Sequence, residues 1–365
     1  MARLSRSTLE DEVARGRSAS SNTPKSRAIA RVKTAERSRP IHLHIENLRS
    51  IGDVFEVTPA RIAAALAAHP RLKGKVRITI GYDSEIFPQA MRTADVLFGW
   101  RFNRETLAET APRLKWVHAH GAGVNHMMPL DWLPPGAVLT NSRGVHGPKA
   151  DEYTLMALLM LNNHLPRNVT NQRKAKWEKL FSTSIASKTL LVVGVGHIGG
   201  GAAMWAKRLG MRVIGIRRTG KPHRHVDEMY QPKALHKLLP QADFVLVSAP
   251  HTSGSHHMIG AAELGLMKDG AGIVNYSRAH LVDYVALRKH LSRGRLSAVL
   301  DVFDPEPLPA SSPLWNTPNL IMTPHSSSDD STHYTPRTLD LVFKNMERFI
   351  AGKPLLNRVD PKTQY

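Results

Sequence analysis

The sequence has no cysteine, few aromatic residues and no long apolar run. None of its 365 residues is cysteine, and Phe, Trp and Tyr make up 6% of the chain. Without thiols, disulfide bonds and cysteine metal sites are excluded. Without a run of roughly 20 apolar residues, no transmembrane helix is expected. We also find no signal-peptide pattern, so we expect a soluble, cytoplasmic protein.

Acidic residues are scarce relative to basic ones. The chain has 30 Asp and Glu against 50 Lys and Arg, which gives a formal net charge of +20. Residues 1–39 hold ten of the basic residues and few large apolar ones, so we interpret residues 1–40 as a disordered basic tail. Its acidic cluster at 10–12 argues against an organelle transit peptide. No nucleic-acid recognition motif accompanies the charge, so we predict no nucleic acid or membrane partner; the charge suits an anionic cofactor and substrate.

One stretch, from Thr189 to Thr219, alternates between strand and helix patterns around a glycine-rich turn. The apolar run 189–193 leads into Gly194-Val195-Gly196-His197-Ile198-Gly199, a helical pattern follows, and a second apolar run ends at residue 216. In such a G-x-G-x-x-G turn, the first glycine allows the tight turn, the second lets a pyrophosphate approach the backbone, and the third permits close packing of helix and strand. This context predicts a dinucleotide-binding unit.

The tip of the second strand predicts which dinucleotide is bound. Enzymes that use NAD usually carry an acidic residue there, which binds the ribose 2′-hydroxyl. This chain has Arg217, Arg218 and Thr219 instead. Guanidinium groups would bind a 2′-phosphate through charge-assisted hydrogen bonds, so we predict that NADP(H) is preferred and that NAD(H) is the lesser alternative.

Strand and helix patterns alternate along the chain, which is typical of parallel α/β sheets. We predict strands at 41–45, 76–80, 94–100, 114–118, 137–140, 189–193, 213–216, 244–248, 272–275, 298–301 and 320–323. We predict helices at 59–68, 103–109 with Asn103 as N-cap, 149–165, 283–292 and 334–351.

Polar residues follow three of the later strands. Arg278 comes after the strand at 272–275, Glu306 after the strand at 298–301, and His325 after the strand at 320–323. Because ligands of open α/β sheets bind at the carboxyl ends of strands, we expect these three side chains to meet at the dinucleotide site.

With these residues, the chain resembles the D-isomer-specific 2-hydroxyacid dehydrogenases, which include glyoxylate/hydroxypyruvate reductases, D-lactate dehydrogenase and phosphoglycerate dehydrogenase. The resemblance runs from about Ile41 to Tyr365 and includes 121–124, 141–145 and 357–360. It implies a two-domain α/β fold with a Rossmann dinucleotide-binding domain at 148–327. It also implies a discontinuous, flavodoxin-like substrate domain at 41–147 and 328–365, a cleft between the two domains, and a homodimer.

The resemblance further implies residue roles. His325 would be the general acid that protonates the substrate carbonyl, and Glu306 would hydrogen-bond its imidazole and favour its charged form. Arg278 would bind the substrate carboxylate together with the backbone N–H groups of Ala122 and Gly123. Asp301 would face the nicotinamide amide. The full set of expected cofactor contacts is Gly194, Gly196, His197, Ile198, Gly199, Arg217, Arg218, Thr219, Ala249, Pro250, Thr252, Ser277 and Asp301.

Some positions depart from the family pattern. Ala279 stands where the family usually has glycine, and Asn125 where it commonly has aspartate. Glu306 argues against a formate dehydrogenase, in which glutamine is expected at that position. A histidine group near the predicted cleft (118, 120 and 126) lacks acidic companions, so we expect it to shape the pocket and predict no metal.

The sequence therefore predicts an NADP-preferring oxidoreductase that interconverts a 2-keto acid and a D-2-hydroxy acid by hydride transfer. Glyoxylate or hydroxypyruvate is the leading substrate. Two alternatives stay open: an NAD-dependent enzyme of the same family, and a dinucleotide-sensing regulator similar to the C-terminal-binding-protein corepressors, which share this fold.

Overall fold

A computed structural model describes residues 39–363 of the chain. The tail predicted at residues 1–40 therefore lies outside the described residues, apart from its last two positions. Within the described range, every helix is too short or too polar to cross a lipid bilayer.

The first sheet has five parallel strands in the order β2-β1-β3-β4-β5. Its strands are β1 Ile41–Asn47, β2 Val76–Tyr82, β3 Val96–Gly99, β4 Trp116–Ala119 and β5 Val138–Asn141. The helices that follow β1, β2 and β3 are α1 Pro59–Ala67, α2 Phe87–Met91 and α3 Leu107–Thr110. Because all strands run the same way, their carboxyl ends, and the loops after them, lie along one edge of the sheet.

Strand β1 is buried on both faces, and its side chains alternate in character. Leu43 and Ile45 pack into an apolar cluster on one face. On the other face, His44 Nε2 lies 2.9 Å from Glu46 Oε2, with both side chains fully buried. The imidazole and the carboxylate thus satisfy each other in the core of this sheet.

The second sheet has seven parallel strands in the order β12-β11-β10-β9-β6-β7-β8. Its strands are β6 Thr189–Val193, β7 Arg212–Ile216, β8 Glu228–Tyr230, β9 Phe244–Val247, β10 Gly272–Asn275, β11 Ser297–Leu300 and β12 Leu320–Met322. The chain runs outward from β6 to β8 and then crosses back to β9. The strand order therefore reverses between β6 and β9, where ligands bind in doubly wound sheets.

The rest of the described chain forms further helices, and all but the last of them cover this second sheet or connect it with the first. They are α4 Gly147–Asn162, α5 Leu165–Arg173, α6 His197–Arg208, α7 Leu235–Leu238, α8 Ala261–Leu266, α9 Tyr284–Ser292 and α10 Tyr334–Ile350. Helix α4 follows the first sheet in sequence and packs in one apolar cluster with α6. Three alanines of α6, at positions 202, 203 and 206, are fully buried in that cluster, and such small side chains let helices approach closely.

The last helix, α10, returns to the first sheet. Its Leu339, Val342, Phe343 and Met346 are fully buried in the cluster that also holds Leu43 of β1. The predicted fold class is confirmed: two domains, each built on a parallel α/β sheet. The exact residue bounds of the two domains stay a prediction.

The predicted helix at 103–109 is wrong. Helix α3 begins at Leu107, and the Oδ1 of Asn103 accepts a hydrogen bond from the N–H of Glu105, 3.0 Å away. This bond closes a local turn, which competes with helix formation at asparagine. Strand β8 was also not predicted, because three residues are too few to display an alternating pattern.

Candidate functional site

The glycine turn connects β6 to α6 at the point where the strand order reverses. Gly194 has φ of +107°, and a Cβ there would overlap the backbone of Ala249, just after β9. At Gly199, a Cβ would overlap the carbonyl oxygen of Gly194, so close packing of helix on strand requires glycine. At Gly196, by contrast, a Cβ would meet no atom within 4 Å. The space beside Gly196 is therefore open to a ligand.

This turn fits the pyrophosphate of a dinucleotide. The N–H groups of His197 and Ile198, in the first turn of α6, donate to no acceptor within residues 39–363. Unpaired N–H groups at a helix N-terminus, together with the helix dipole, bind anions. These donors follow Gly196 directly in the chain, where a bound pyrophosphate would lie.

The basic tip lies at the carboxyl end of β7, as expected. Arg217 donates through Nη2 to the carbonyl oxygen of Pro222, 3.1 Å away, while its Nε is buried without a partner. Arg218 and Thr219 are exposed, and the Oγ1 of Thr219 accepts a 3.3 Å hydrogen bond from the N–H of Lys221. The tip thus offers guanidinium and hydroxyl groups where an NAD enzyme offers a carboxylate.

The other expected cofactor contacts follow β9 and β10. Ala249 lies against Gly194, next to the exposed Pro250. The N–H of Thr252 donates to Ser255 Oγ over 2.8 Å. Ser277 donates through its N–H and its hydroxyl to Asn275 Oδ1, at 3.2 and 3.1 Å. These residues lie in the loops after neighbouring strands, along the same edge of the sheet as the glycine turn.

Glu306 and His325 form a hydrogen-bonded pair. His325 Nδ1 lies 2.7 Å from Glu306 Oε2, and Glu306 Oε1 accepts from the N–H of Phe303 at 2.8 Å. His325 has φ of +52°, in the left-handed region that few non-glycine residues occupy. Such backbone strain is found at functional sites. Nδ1 is held by the carboxylate, and Nε2 has no partner in the described chain, so it remains available to a substrate.

Asp301 holds the loop that carries His325. It is fully buried, and its carboxylate accepts hydrogen bonds from Thr323 Oγ1 at 2.5 Å, Ser326 N at 3.0 Å and Ser327 N at 3.1 Å. All three donors flank His325 in sequence. The contacts of Asp301 therefore indicate a positioning role, while its contact with the nicotinamide amide stays a prediction.

Arg278 lies against the first domain. A Cβ on Gly123 would overlap Nη2 of Arg278, so the guanidinium touches the backbone of the loop after β4. Nη1 donates to the carbonyl oxygen of Ser277 at 2.6 Å, and no carboxylate within residues 39–363 forms a salt bridge with Arg278. Burial lowers the pKa of Arg278 from its usual value, and the negative charge of Glu306 opposes that shift. The unpaired guanidinium is suited to an anionic substrate.

The loop from His120 to Gly123 completes this anion site. Its carbonyl oxygens accept hydrogen bonds: His120 O from the hydroxyl of Tyr334 at 2.8 Å, and Ala122 O from Asn141 Nδ2 at 2.7 Å. The N–H groups of Ala122 and Gly123, by contrast, donate to no acceptor in the described part of the chain. Because the carbonyl oxygens of this loop are hydrogen-bonded within the protein and these two N–H groups are free, the loop can bind a carboxylate oxygen.

Two of the three predicted pocket histidines are buried in the first domain. His118 is fully buried and bonds Thr140 Oγ1 at 2.7 Å and Ser142 Oγ at 3.2 Å. His120 is 3% exposed, and its ring packs 4.9 Å from that of Phe98. Burial lowers the pKa of each to about 3, so both are neutral at pH 7. No group of three or more His, Asp or Glu within 39–363 is arranged to hold a metal.

Two contacts were not expected from the sequence. The side chain of His146, at the start of α4, lies with Nδ1 3.2 Å from the carbonyl oxygen of Ser328, three residues after the catalytic candidate His325. Burial lowers the pKa of His146 to about 4. Asn125 donates through Nδ2 to the carbonyl oxygen of His251, 2.6 Å away. An aspartate, which the family commonly has there, could not donate this bond between the two domains.

The fold and the site together define a two-domain dehydrogenase that binds a nicotinamide dinucleotide. The family model described as D-isomer specific 2-hydroxyacid dehydrogenase, NAD binding domain, matches residues 155–327. A glyoxylate reductase from Korarchaeum cryptofilum is 32% identical over 256 residues, which cover 67% of this chain and 76% of that enzyme. The chain therefore belongs to the D-isomer-specific 2-hydroxyacid dehydrogenase family, as its motifs predicted, and is an NAD(P)-dependent oxidoreductase of that family.

Solved structures agree with this family. A D-isomer specific 2-hydroxyacid dehydrogenase from Xanthobacter autotrophicus Py2, in complex with NADPH and MES, superposes with a TM-score of 0.76 at 28% identity, over 90% of this chain and 100% of that chain. An NADPH-dependent glyoxylate/hydroxypyruvate reductase from Sinorhizobium meliloti, in complex with NADP and sulfate, gives 0.73 at 26% identity, over 89% and 100%.

Proposed function

We propose that this protein reduces glyoxylate or hydroxypyruvate with NADPH and forms the corresponding 2-hydroxy acid, which for hydroxypyruvate is the D-isomer. The observation that carries the proposal is the arrangement of Arg278 against Gly123, with the Glu306–His325 pair after the neighbouring strands. This arrangement places an anion-binding site and a proton donor next to each other in a dinucleotide-binding fold. Relatives named glyoxylate reductase support the substrate class.

The 2-keto acid is held by its carboxylate. Arg278 binds one side of the carboxylate through charge-assisted hydrogen bonds, and the free N–H groups of Ala122 and Gly123 bind the other. Arg278 also polarises the keto oxygen. Because Arg278 belongs to one domain and Gly123 to the other, closure of the cleft completes the binding site and excludes water.

His325 supplies the proton. The bound dinucleotide supplies the hydride that reduces C2 of the substrate. His325 donates its Nε2 proton to the keto oxygen as negative charge develops there. Glu306 binds Nδ1 of the ring, so it fixes the orientation of the imidazole and leaves Nε2 directed to the substrate. The reverse reaction uses His325 as the base.

A kinetic panel tests the reaction. We expect NADPH oxidation, followed by its absorbance, with glyoxylate or hydroxypyruvate, and slower turnover with bulkier 2-keto acids. The His325→Ala variant should lose roughly 100-fold or more in kcat, the usual contribution of a general acid, while binding NADPH as tightly as the wild type. Full turnover by the variant would exclude His325 as the acid. Tight dinucleotide binding without turnover of any 2-keto acid would favour a dinucleotide-sensing regulator.

The preference for NADPH over NADH is part of the proposal. Arg217 and Arg218 at the tip of β7 support it, as do the NADPH and NADP in the Xanthobacter and Sinorhizobium complexes. The double variant Arg217→Asp/Arg218→Ala should weaken NADPH binding and spare NADH, because it replaces a cationic site with an acidic one. An unchanged ratio of the two affinities would refute this assignment.

We further propose that the enzyme is a homodimer. Trp177 and Phe181, in the segment after α5, are 91% and 87% exposed. Large aromatic side chains at such exposure are typical of protein interfaces. Sedimentation should give a dimer for the wild type and a monomer for Trp177→Ser/Phe181→Ser; a wild-type monomer would refute the proposal. A cytoplasmic location remains a prediction.

A further inference from the structure

The loop that follows the basic tip lies over the first two turns of α6. We propose that this loop, His223–His225, is a second phosphate-recognition element, which binds the pyrophosphate of the dinucleotide together with the glycine turn. The inference rests on the proposed function, because it takes the ligand of the loop to be the dinucleotide of that reaction. It adds residues that the glycine motif and the Arg217–Thr219 tip do not contain.

A single cavity joins the loop to the glycine turn. The cavity has a volume of about 490 Å³, and its lining includes Gly196 and His197 of the turn as well as His223, Arg224 and His225 of the loop. The open face of Gly196 and the free N–H group of His197 therefore share one space with two imidazoles and a guanidinium. An anion bound at the turn would lie in that space.

The loop touches α6 directly. A Cβ at Gly200 would come within 2.8 Å of Nε2 of His223, so the missing side chain of Gly200 makes room for the imidazole. His223 Nδ1 accepts a 3.4 Å hydrogen bond from the N–H of His225. The ring proton of neutral His223 is therefore on Nε2, which faces the first turns of α6 as a donor.

The loop carries cationic groups without carboxylate partners. Within residues 39–363, no salt bridge joins Arg217 or Arg224 to an acidic residue. The Nε of Arg217 and the Nε2 of His225 are buried without a hydrogen-bond partner. Burial lowers the pKa of His223, and the positive charges of His225, Arg217 and Arg224 add to that shift. A phosphate ligand in the cavity would offset the repulsion among these cationic groups.

The chain after the loop is anchored. Val226 packs against the apolar cluster that contains β6 and α6. Asp227 Oδ2 accepts from the N–H of Val213 at 2.8 Å, and Lys207 Nζ lies 2.7 Å from Asp227 Oδ1. The one acidic residue among those lining the cavity, Asp151, lies against Gly201 on the α4 side, and burial raises its pKa. The residues after the loop thus hold its cationic side chains at the turn, and burial disfavours the charged form of the one carboxyl group that lines the cavity.

Three ligands distinguish binding at this site from binding at the 2′-phosphate site. ADP-ribose carries the pyrophosphate without a 2′-phosphate, 2′-AMP carries the 2′-phosphate without a pyrophosphate, and NADPH carries both. Dissociation constants would be measured by calorimetry for the wild type, Arg224→Ala, His223→Gln/Arg224→Ala and Lys221→Ala. Lys221 is the matched control, because it removes one charge from the same exposed stretch but does not line the cavity.

We expect His223→Gln/Arg224→Ala to weaken ADP-ribose and NADPH about tenfold, the loss of one charge-assisted hydrogen bond. The dissociation constant of 2′-AMP should change by no more than about twofold in this double variant. In Lys221→Ala, the dissociation constants of all three ligands should likewise stay within about twofold of the wild-type values. Unchanged ADP-ribose binding would overturn the proposal, as would equal losses for 2′-AMP or for Lys221→Ala. If the double variant does not fold, the single variant Arg224→Ala, at an exposed position, tests the proposal by the same comparison of ligands. A wild type that binds ADP-ribose but reduces no 2-keto acid would refute only the substrate proposal.

Discussion

A methyl group on Gly123 should displace the Arg278 guanidinium, on the other side of the cleft, and so weaken its binding of the substrate. In the Gly123→Ala variant, the new Cβ would overlap Nη2 of Arg278, so the guanidinium must move. The displaced group is the end of a flexible side chain, so stability should hardly change. The substrate carboxylate would lose a charged hydrogen bond of roughly 1.5–3 kcal/mol. This corresponds to a loss of about 10- to 100-fold in kcat/KM.

The assay compares steady-state kinetics for glyoxylate and hydroxypyruvate with the binding of NADPH. Gly121→Ala is the matched control in the same loop, because its Cβ would have its nearest neighbour, the carbonyl oxygen of Gly123, at an ordinary 3.6 Å. We expect the control to retain kcat/KM within about twofold and both variants to bind NADPH normally. If Gly123→Ala retains wild-type kcat/KM, Arg278 does not bind the substrate carboxylate in this geometry, and the proposed mechanism is refuted.

Three further predictions concern the bond between the domains, a buried pair and acid stability. Asn125→Asp puts a carboxylate oxygen against the carbonyl of His251 and should lower the free energy of unfolding by about 1–3 kcal/mol. Urea denaturation at pH 8 would measure this loss, with Asn125→Ala as the milder control. A variant Asn125→Asp as stable as the wild type would contradict the prediction. Glu46→Ala leaves Nε2 of the buried His44 without its partner and should cost about 3 kcal/mol or more in the same assay. A loss below about 1 kcal/mol would show that the pair contributes little. The pKa of about 3 for His118 and His120 lies below the unfolded value, so the unfolded state binds protons first as the pH falls, and stability present above pH 6.5 is lost below it. The two should contribute about 2–3 kcal/mol of the stability that is lost between pH 7 and 5.5. The His120→Phe variant should lose about 1 kcal/mol less than the wild type over this range. A pH-independent wild type would refute the assignment.

The local elements of the dinucleotide-binding domain could be predicted well from the sequence. The strand at 189–193 matches β6 Thr189–Val193, and the turn residues Gly194, Gly196 and Gly199 occupy the positions that their motif requires. These features depend on residues close in sequence, where a missing side chain or an apolar run has a direct local consequence. The helix predicted at Asn103 failed because a side chain can satisfy the backbone in a turn as well as it can cap a helix.

The amino-acid sequence by itself determined the family, the glycine turn and the basic residues at the tip of β7, because motif spacing and residue chemistry are written along the chain. Only the tertiary structure decided that Gly123 touches Arg278, that Asn125 bonds the carbonyl of His251, and that the loop at 223–225 shares a cavity with Gly196. Each of these contacts joins segments far apart in sequence or on different elements. Their geometry depends on how sheets and helices pack, and packing is set by the summed fit of many side chains rather than by any local pattern.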